Sequence, residues 1–140
     1  MPKLTIRAHA KINLDLCLGA RRPDGFHPID TLFVRTEVAD QLTGSPSSDG
    51  TLSLRIEGDE NLTAGPENLV LRAAQALKQK GGGSSGAKLI LKKEIPQGAG
   101  LGGGSSDAAA ALKLLRNLWS LAVSDAELSE IGARLGSDVP

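Results

Sequence analysis

The sequence predicts an α+β domain, and three observations carry that prediction. Residues 4–18 alternate apolar and polar with period two, which is the mark of a strand with one buried face. Two later segments, 67–80 and the run holding Ala108, Ala111, Leu112, Leu115, Leu118 and Trp119, repeat their apolar residues at helical spacing. In chain order the pattern is strands, helix, strand, helix, helix, which suits layers of helix on sheet. The 140 residues suffice for one domain with a real core.

In the first strand Leu4, Ile6, Ala8, Ala10, Ile12, Leu14, Leu16 and Leu18 share one parity, and Thr5, Arg7, His9, Lys11, Asn13, Asp15 and Cys17 the other. That length fits one bent strand or two. Arg21-Arg22-Pro23-Asp24-Gly25 reads as a turn, with Asp-Gly its tightest point. Residues 29–38 read as a second strand, 44–50 as a polar loop and 52–56 as a third strand, so the first third is expected to be antiparallel. A helix is expected over 67–80, with Pro66 suited to its first turn, Leu69, Ala73, Ala76 and Leu77 on one face, and Gly81 at its end. Residues 81–86 read as a flexible surface loop and 88–92 as a short strand. Ser124-Asp125-Ala126-Glu127 is a capping box that opens a last helix reaching about Leu135. Gly136-Ser137-Asp138-Val139-Pro140 follows without a polar tail, and the expectation is a truncated chain.

Composition excludes several classes. Lys plus Arg and Asp plus Glu number 16 each, so there is no basic excess to bind nucleic acid. Base-stacking residues are scarce: two Phe, one Trp and no Tyr. Cys17 stands alone, so neither an intrachain disulfide nor a cysteine metal cluster is possible, and a buried or half-buried thiol without a role is expected. No apolar run reaches membrane-spanning length, and charges at Lys3, Arg7 and Lys11 break any signal-peptide core. A cytoplasmic protein without nucleic-acid or membrane partners is expected.

The chemistry concentrates at 95–110. Five glycines fall within the seven residues Gly98 to Gly104, followed by Ser105 and Ser106 and an alanine-rich helical run. Glycine permits close backbone approach to a ligand. A helix starting at such a loop turns its free N–H groups and positive dipole end toward an anion, most often phosphate. Gly98, Gly100 and Gly103 match the G-x-G-x-x-G spacing, but Pro96 and the charges Lys92, Lys93 and Glu94 intrude where a buried parallel strand should enter the loop. A dinucleotide oxidoreductase is therefore a distant alternative. The Walker form is absent, since no Gly-Lys-Ser/Thr occurs.

Other candidates carry two readings each. Lys11 and Asn13 lie on the polar parity of the first strand, either as a solvated face or near a bound phosphate, with Lys11 the nearby cation. Asp138 is a cap or turn residue, or it accepts a proton from a substrate hydroxyl. Phe26 and His27 are structural, or they stack on and hydrogen-bond a planar ring. His9 reads as a strand-face residue, Lys113 and Arg116 as solvated helix face, and Trp119 as core.

Four segments taken together resemble one family: Ala10-Lys11-Ile12-Asn13-Leu14, Asp24-Gly25-Phe26-His27, residues 95–110 and residues 135–140. It is the superfamily of galactokinase, homoserine, mevalonate and phosphomevalonate kinases, the GHMP kinases, which carry a P-x-x-x-G-L-G-S-S-A-like loop. The longer form Gly100-Leu101-Gly102-Gly103-Gly104-Ser105-Ser106-Asp107 is similar to that of the member acting in the methylerythritol pathway.

The resemblance implies that residues 1–140 are the N-terminal ATP-binding domain, of the ribosomal protein S5 domain 2-like fold. That fold is a mostly antiparallel sheet with helices packed on one face. It implies ATP-dependent phosphorylation of the 2-hydroxyl of a cytidine diphosphate-linked methylerythritol, with Mg2+, in non-mevalonate isoprenoid synthesis. Lys11 and Asp138 match the catalytic pair, and Asn13 a substrate-hydroxyl contact. Phe26 and His27 match the pair holding cytosine, where Phe in place of the commoner Tyr keeps the stacking and loses a hydroxyl. Pro96, Gln97, Gly98, Ala99, Gly100, Leu101, Gly102, Gly103, Gly104, Ser105 and Ser106 match the triphosphate loop, with Ser105 or Ser106 nearest the Mg2+. Asn68 and Lys93 match positions near the adenine. Family members continue into a C-terminal domain that closes the cleft, and the resemblance leads to the expectation that this chain stops short of it. The rival readings are a sister kinase acting on homoserine or mevalonate, and a non-catalytic fragment that binds phosphate.

Overall fold

The computed structural model describes residues 3–18, 29–59, 62, 64–95 and 103–136, with residues 11–18, 29–36, 82 and 103 described by backbone alone. Strands β1 (Leu4–Leu18), β2 (Ile29–Ser47), β3 (Leu52–Glu57) and β4 (Gly86–Lys92) form one sheet in the order β1-β2-β4-β3. The β1–β2 and β2–β4 pairs are antiparallel and the β3–β4 pair is parallel. The expected α+β fold is present, with one parallel pair in a mostly antiparallel sheet. Helix α1 (Leu69–Leu77) makes the crossover that a parallel pair requires. Helices α2 (Gly103–Leu118) and α3 (Asp125–Leu135) complete the helical layer. Among the described residues, no helix is long and apolar enough to cross a membrane.

Strand alternation selects the buried face. Leu4 and Ile6 pack on the core and Ala8 and Ala10 lie within it. Leu52, Leu54 and Ile56 of β3 and Ala87, Leu89 and Leu91 of β4 point the same way. Against them lie Val70, Ala73, Ala74 and Leu77 of α1 and Ala108, Ala111, Leu112 and Leu115 of α2. Each fully buried leucine contributes about 1.5–3 kcal/mol relative to exposure. Alanines on α2 let the helix lie close to β1 and β2, the strands it touches. Ser124 caps α3 as expected, its hydroxyl accepting the Glu127 N–H at 3.1 Å.

Several expectations are corrected. β2 runs on to Ser47 instead of stopping at 38, so 44–50 is strand before it is loop. Gly44 pairs with Leu4 on one side and Leu89 on the other, and a Cβ there would sit 2.6 Å from a Leu114 methyl. Its glycine makes room for α2 and does not break the strand. The true turn follows at 48–50, where Gly50 has φ +76°. Asn68, not Pro66 or Glu67, starts α1: its Oδ1 accepts the Val70 N–H at 2.9 Å. The helix ends at Leu77 in a π-helical turn, Lys78–Gly82, whose Lys78 ammonium donates to the Gly50 carbonyl. Residues 81–86 are thus not a free loop, because Gly86 opens β4 in a buried position. Arg116, expected in solvent, donates to Asp125 Oδ1 at 2.6 Å and ties α2 to the start of α3. Lys113 is exposed as expected, and Trp119 packs against the core while its indole N–H donates to the Gly86 carbonyl at 3.0 Å.

A Cβ at Gly86 would meet the Thr51 carbonyl oxygen at 2.5 Å and two further backbone atoms of residues 50–51 below 3 Å. Backbone cannot swing aside, so Gly86→Ala is expected to destabilise by about 2–3 kcal/mol. Gly81→Ala, which meets only a Leu121 methyl at 3.9 Å, is expected to change little. Urea midpoints of the two variants check this; equal midpoints would show that β3 and β4 are not held that closely.

Candidate functional site

Three pieces of backbone converge at one end of the helical layer: the exit of β4 (residues 93–95), the first turn of α2 and the cap of α1. They enclose a cavity of about 290 Å³ lined by Leu62, Glu67, Asn68, Leu69, Val70, Leu91, Lys93, Gly104 and Asp107. Asn68 is there because it caps α1, with its side chain turned back over its own first turn. Gly104 is there because α2 begins beside Leu69, whose methyl would lie 3.7 Å from a Cβ on Gly104.

Under the cavity lies a buried ion triad. The Lys93 ammonium donates to Asp40 Oδ2 at 2.5 Å and to Asp107 Oδ2 at 2.8 Å. All three side chains are at most 4 % exposed. The other Asp40 oxygen accepts the backbone N–H groups of Glu94 at 2.7 Å and Ile95 at 2.9 Å. Asp107 Oδ1 is buried and has no partner among the described residues. Burial works against the Asp40 anion, but Asp107, the two amides and Lys93 outweigh it and hold the Asp40 carboxyl below its ordinary range. Burial also works against the Lys93 cation, and there the two facing carboxylates win and raise it. Asp107 goes the other way: burial, reinforced by the Asp40 carboxylate, pushes it up to about 8.

The first turn of α2 is also tied to β1. Ser106 Oγ donates to the His9 carbonyl at 2.8 Å, two residues before Lys11. The β1–β2 register shifts between His9 and Lys11 and again between Asn13 and Asp15, so irregularities bracket Lys11 and Asn13. Lys11 stands opposite Arg35 and Asn13 opposite Phe33.

Of the residues singled out in the sequence, Asn68, Lys93 and Gly104 meet at the cavity. Ser105 and Ser106 lie half-buried in the first turn of α2, and Gly103 is its first residue. Pro96, Gln97, Gly98, Ala99, Gly100, Leu101, Gly102, Phe26, His27 and Asp138 lie outside the described residues. Among the described residues, no group of three or more His, Cys, Asp and Glu side chains could hold a metal ion. Lys93, met in the sequence as an intruding charge, is a core residue. Asp40 was not singled out, and Asp107 appeared only as the last residue of the glycine-rich motif, with no role given to it. The signals were present: Asp40 shares the inward parity of Leu42 and Gly44, and Asp107 lies one helical turn before Ala111 on the buried face of α2.

Residues 68–140 match the family model described as the GHMP kinases N terminal domain. The chain is 48% identical to a 4-diphosphocytidyl-2-C-methyl-D-erythritol kinase of Pelotomaculum thermopropionicum, over 98% of its own length and 47% of the relative's. It is 46% identical to the enzyme of that name in a Synechococcus strain, over 98% of its length and 45% of the relative's. The chain thus spans about half the length of the curated relatives it matches. A crystal structure of 4-(cytidine 5'-diphospho)-2C-methyl-D-erythritol kinase superposes with a TM-score of 0.79 at 40% identity, covering 98% of this chain and 47% of that one. A homoserine kinase from Cytophaga hutchinsonii superposes with a TM-score of 0.75 at 18% identity, over 95% of this chain and 40% of that one, and so shares the fold.

The triad sets a pH dependence. Asp107 holds its proton more tightly folded, near 8, than at its ordinary value of 3.8, so the folded state binds more protons between those values. Its contribution to stability is complete below about pH 4 and is lost as pH rises through about 8. Melting temperatures measured from pH 5 upward are expected to fall toward about pH 8, and Asp107→Asn is expected to remove that slope. An unchanged slope in the variant would assign the titration to another group.

Proposed function

The chain belongs to the GHMP kinases, and on that premise we propose that it is the nucleotide-binding N-terminal part of a small-molecule kinase. Its acceptor is taken to be 4-diphosphocytidyl-2-C-methyl-D-erythritol, phosphorylated on the 2-hydroxyl by ATP in cytoplasmic isoprenoid synthesis. One observation carries the reading: the glycine-rich stretch leads into the start of α2 beside a cavity lined by Asn68, Lys93 and Gly104. The names of the relatives support the choice of acceptor over homoserine or mevalonate.

In this reading the adenine occupies the cavity against Asn68 and Lys93. The triphosphate follows residues 96–106 to the first N–H groups of α2, where the helix dipole favours its charge. Lys11, two residues along β1 from the carbonyl that Ser106 bonds, balances charge on the transferring phosphoryl group in this reading. The Asp138 carboxylate takes the proton of the acceptor hydroxyl, whose oxygen bonds to the γ-phosphorus as the bond to ADP breaks. Asn13, Phe26 and His27 hold the acceptor. Ser106 spends its hydroxyl proton on His9, which leaves its oxygen able to face a cation, so the serine pair fits the edge of a magnesium–nucleotide complex. A magnesium ion bound with ATP supplies charge neutralisation of phosphate oxygens. Most of the rate then comes from alignment and electrostatics.

The test has two arms. Calorimetric titration of the chain with magnesium–ATP is expected to show binding, and Gly103→Val is expected to abolish it by intruding on the phosphates. Binding retained in that variant would sink the loop assignment. In a protein of the relatives' full length, a panel of 4-diphosphocytidyl-2-C-methyl-D-erythritol, homoserine and mevalonate is expected to show turnover of the first. There Asp138→Ala is expected to cut turnover by about 100-fold or more while ATP affinity holds. Turnover of a different acceptor would reassign the substrate, and a near-normal Asp138→Ala enzyme would remove the base.

A further inference from the structure

Asp40 does not line the cavity, yet it touches most of what approaches the cavity from below. One of its oxygens takes the Lys93 ammonium and the other takes the amides of Glu94 and Ile95. Those three residues are the last described ones before the glycine-rich stretch. Lys93 in turn donates to Asp107, four residues past the first residue of α2, the helix that follows the stretch. Both flanks of residues 96–102 are therefore bonded to one buried carboxylate on β2, directly on the near side and through Lys93 on the far side. A surface ion pair would be too weak and too mobile to do this. A pair with every partner buried is geometrically exacting, and losing one member strands the others.

We propose that Asp40 is a positioning residue for the nucleotide: it acts through Lys93 and the Glu94 and Ile95 amides to fix the distance between the end of β4 and the start of α2. The proposal rests on the nucleotide reading above and adds to it a residue that touches no ligand. Asp107 is the second anchor of the same clamp. The clamp predicts that Asp40 governs nucleotide affinity more than its share of stability would require.

The experiment compares the wild-type chain, Asp40→Asn, and Leu128→Ala, which loosens α3 away from the cavity. Magnesium–ATP affinity is measured by calorimetry, and amide hydrogen exchange is followed at residues 94–95 and in the second turn of α2, whose N–H groups are hydrogen-bonded within the helix. Asp40→Asn is expected to lose about tenfold or more in affinity and to exchange faster at both flanks. Leu128→Ala is expected to keep its affinity despite a lower melting temperature. Equal affinity in Asp40→Asn and wild type, or an equal loss in Leu128→Ala, overturns the proposal. If Asp40→Asn does not fold, Asp107→Ala replaces it, since it leaves the Lys93–Asp40 pair and the Glu94 and Ile95 amides bonded and cuts only the link to α2; a loss of affinity with faster exchange in α2 alone is then expected, residues 94–95 staying protected. If the wild-type chain itself binds no ATP, the nucleotide reading fails, and exchange still judges the clamp. Unchanged protection at both flanks would then overturn the clamp as well, and faster exchange would leave it standing as a clamp while overturning its role toward nucleotide.

Discussion

A lysine ammonium sealed in a protein core has to be neutralised where it stands, and one end of this fold is arranged around that requirement. Lys93 leaves β4 one residue after its last sheet partner and turns inward, not outward. Burying an ion without partners costs several kcal/mol, so carboxylates must come to it. One comes from β2 and one from α2, elements that otherwise meet through apolar contacts. The ion group is thereby a three-way joint between two strands and a helix. Its directional bonds fix an alignment that hydrophobic contact alone leaves free to slide.

The joint works only because the helices lie close to the sheet. Gly44 supplies the clearance for Leu114, and the alanines at 108 and 111 keep the facing surface of α2 low. Gly86 lets β4 start tight against the β2–β3 turn, whose carbonyl at Thr51 receives the Ala87 N–H at 2.9 Å. Together these small residues set the height of α2 above β1 and β2, and hence the reach over which Asp107 can meet Lys93 and Ser106 can meet the His9 carbonyl. Packing on the sheet face and polar geometry at its end are thus one problem, solved by the same helix.

The sheet's apolar face and the capping of α3 were legible because each depends on local rules. Period-two alternation marks a half-buried strand, and a serine three residues before a glutamate marks a helix start. What was illegible depends on contacts distant in sequence. Gly44 reads as a loop residue because the leucine it accommodates lies 70 positions away at Leu114. The burial of Lys93 was not legible because its two partners are separated from it by 53 and 14 residues. An aspartate at an inward strand position, as Asp40 is, goes against burial statistics, and only a known cation partner would make it expected. The glycine-rich stretch stood out in the sequence by its composition, whereas the buried charges that flank it did not.

The proton balance of the joint bears on what the start of α2 can bind. Two carboxylates facing one ammonium leave an excess negative charge unless one of them keeps its proton. Asp40 accepts two backbone amides as well as Lys93 and is stabilised as the anion. Asp107 has only Lys93 to weigh against burial and the neighbouring Asp40 anion, so it is the member whose carboxyl is pushed up, to about 8. An ionised carboxylate near the start of α2 would partly cancel the positive end of its dipole. Here the first turn holds no acidic side chain, and the acid that follows it is turned inward, where burial favours its neutral form. The field at the helix start is therefore little quenched from within the protein. The core ion group and the positive end of the α2 dipole thus do not compete for charge.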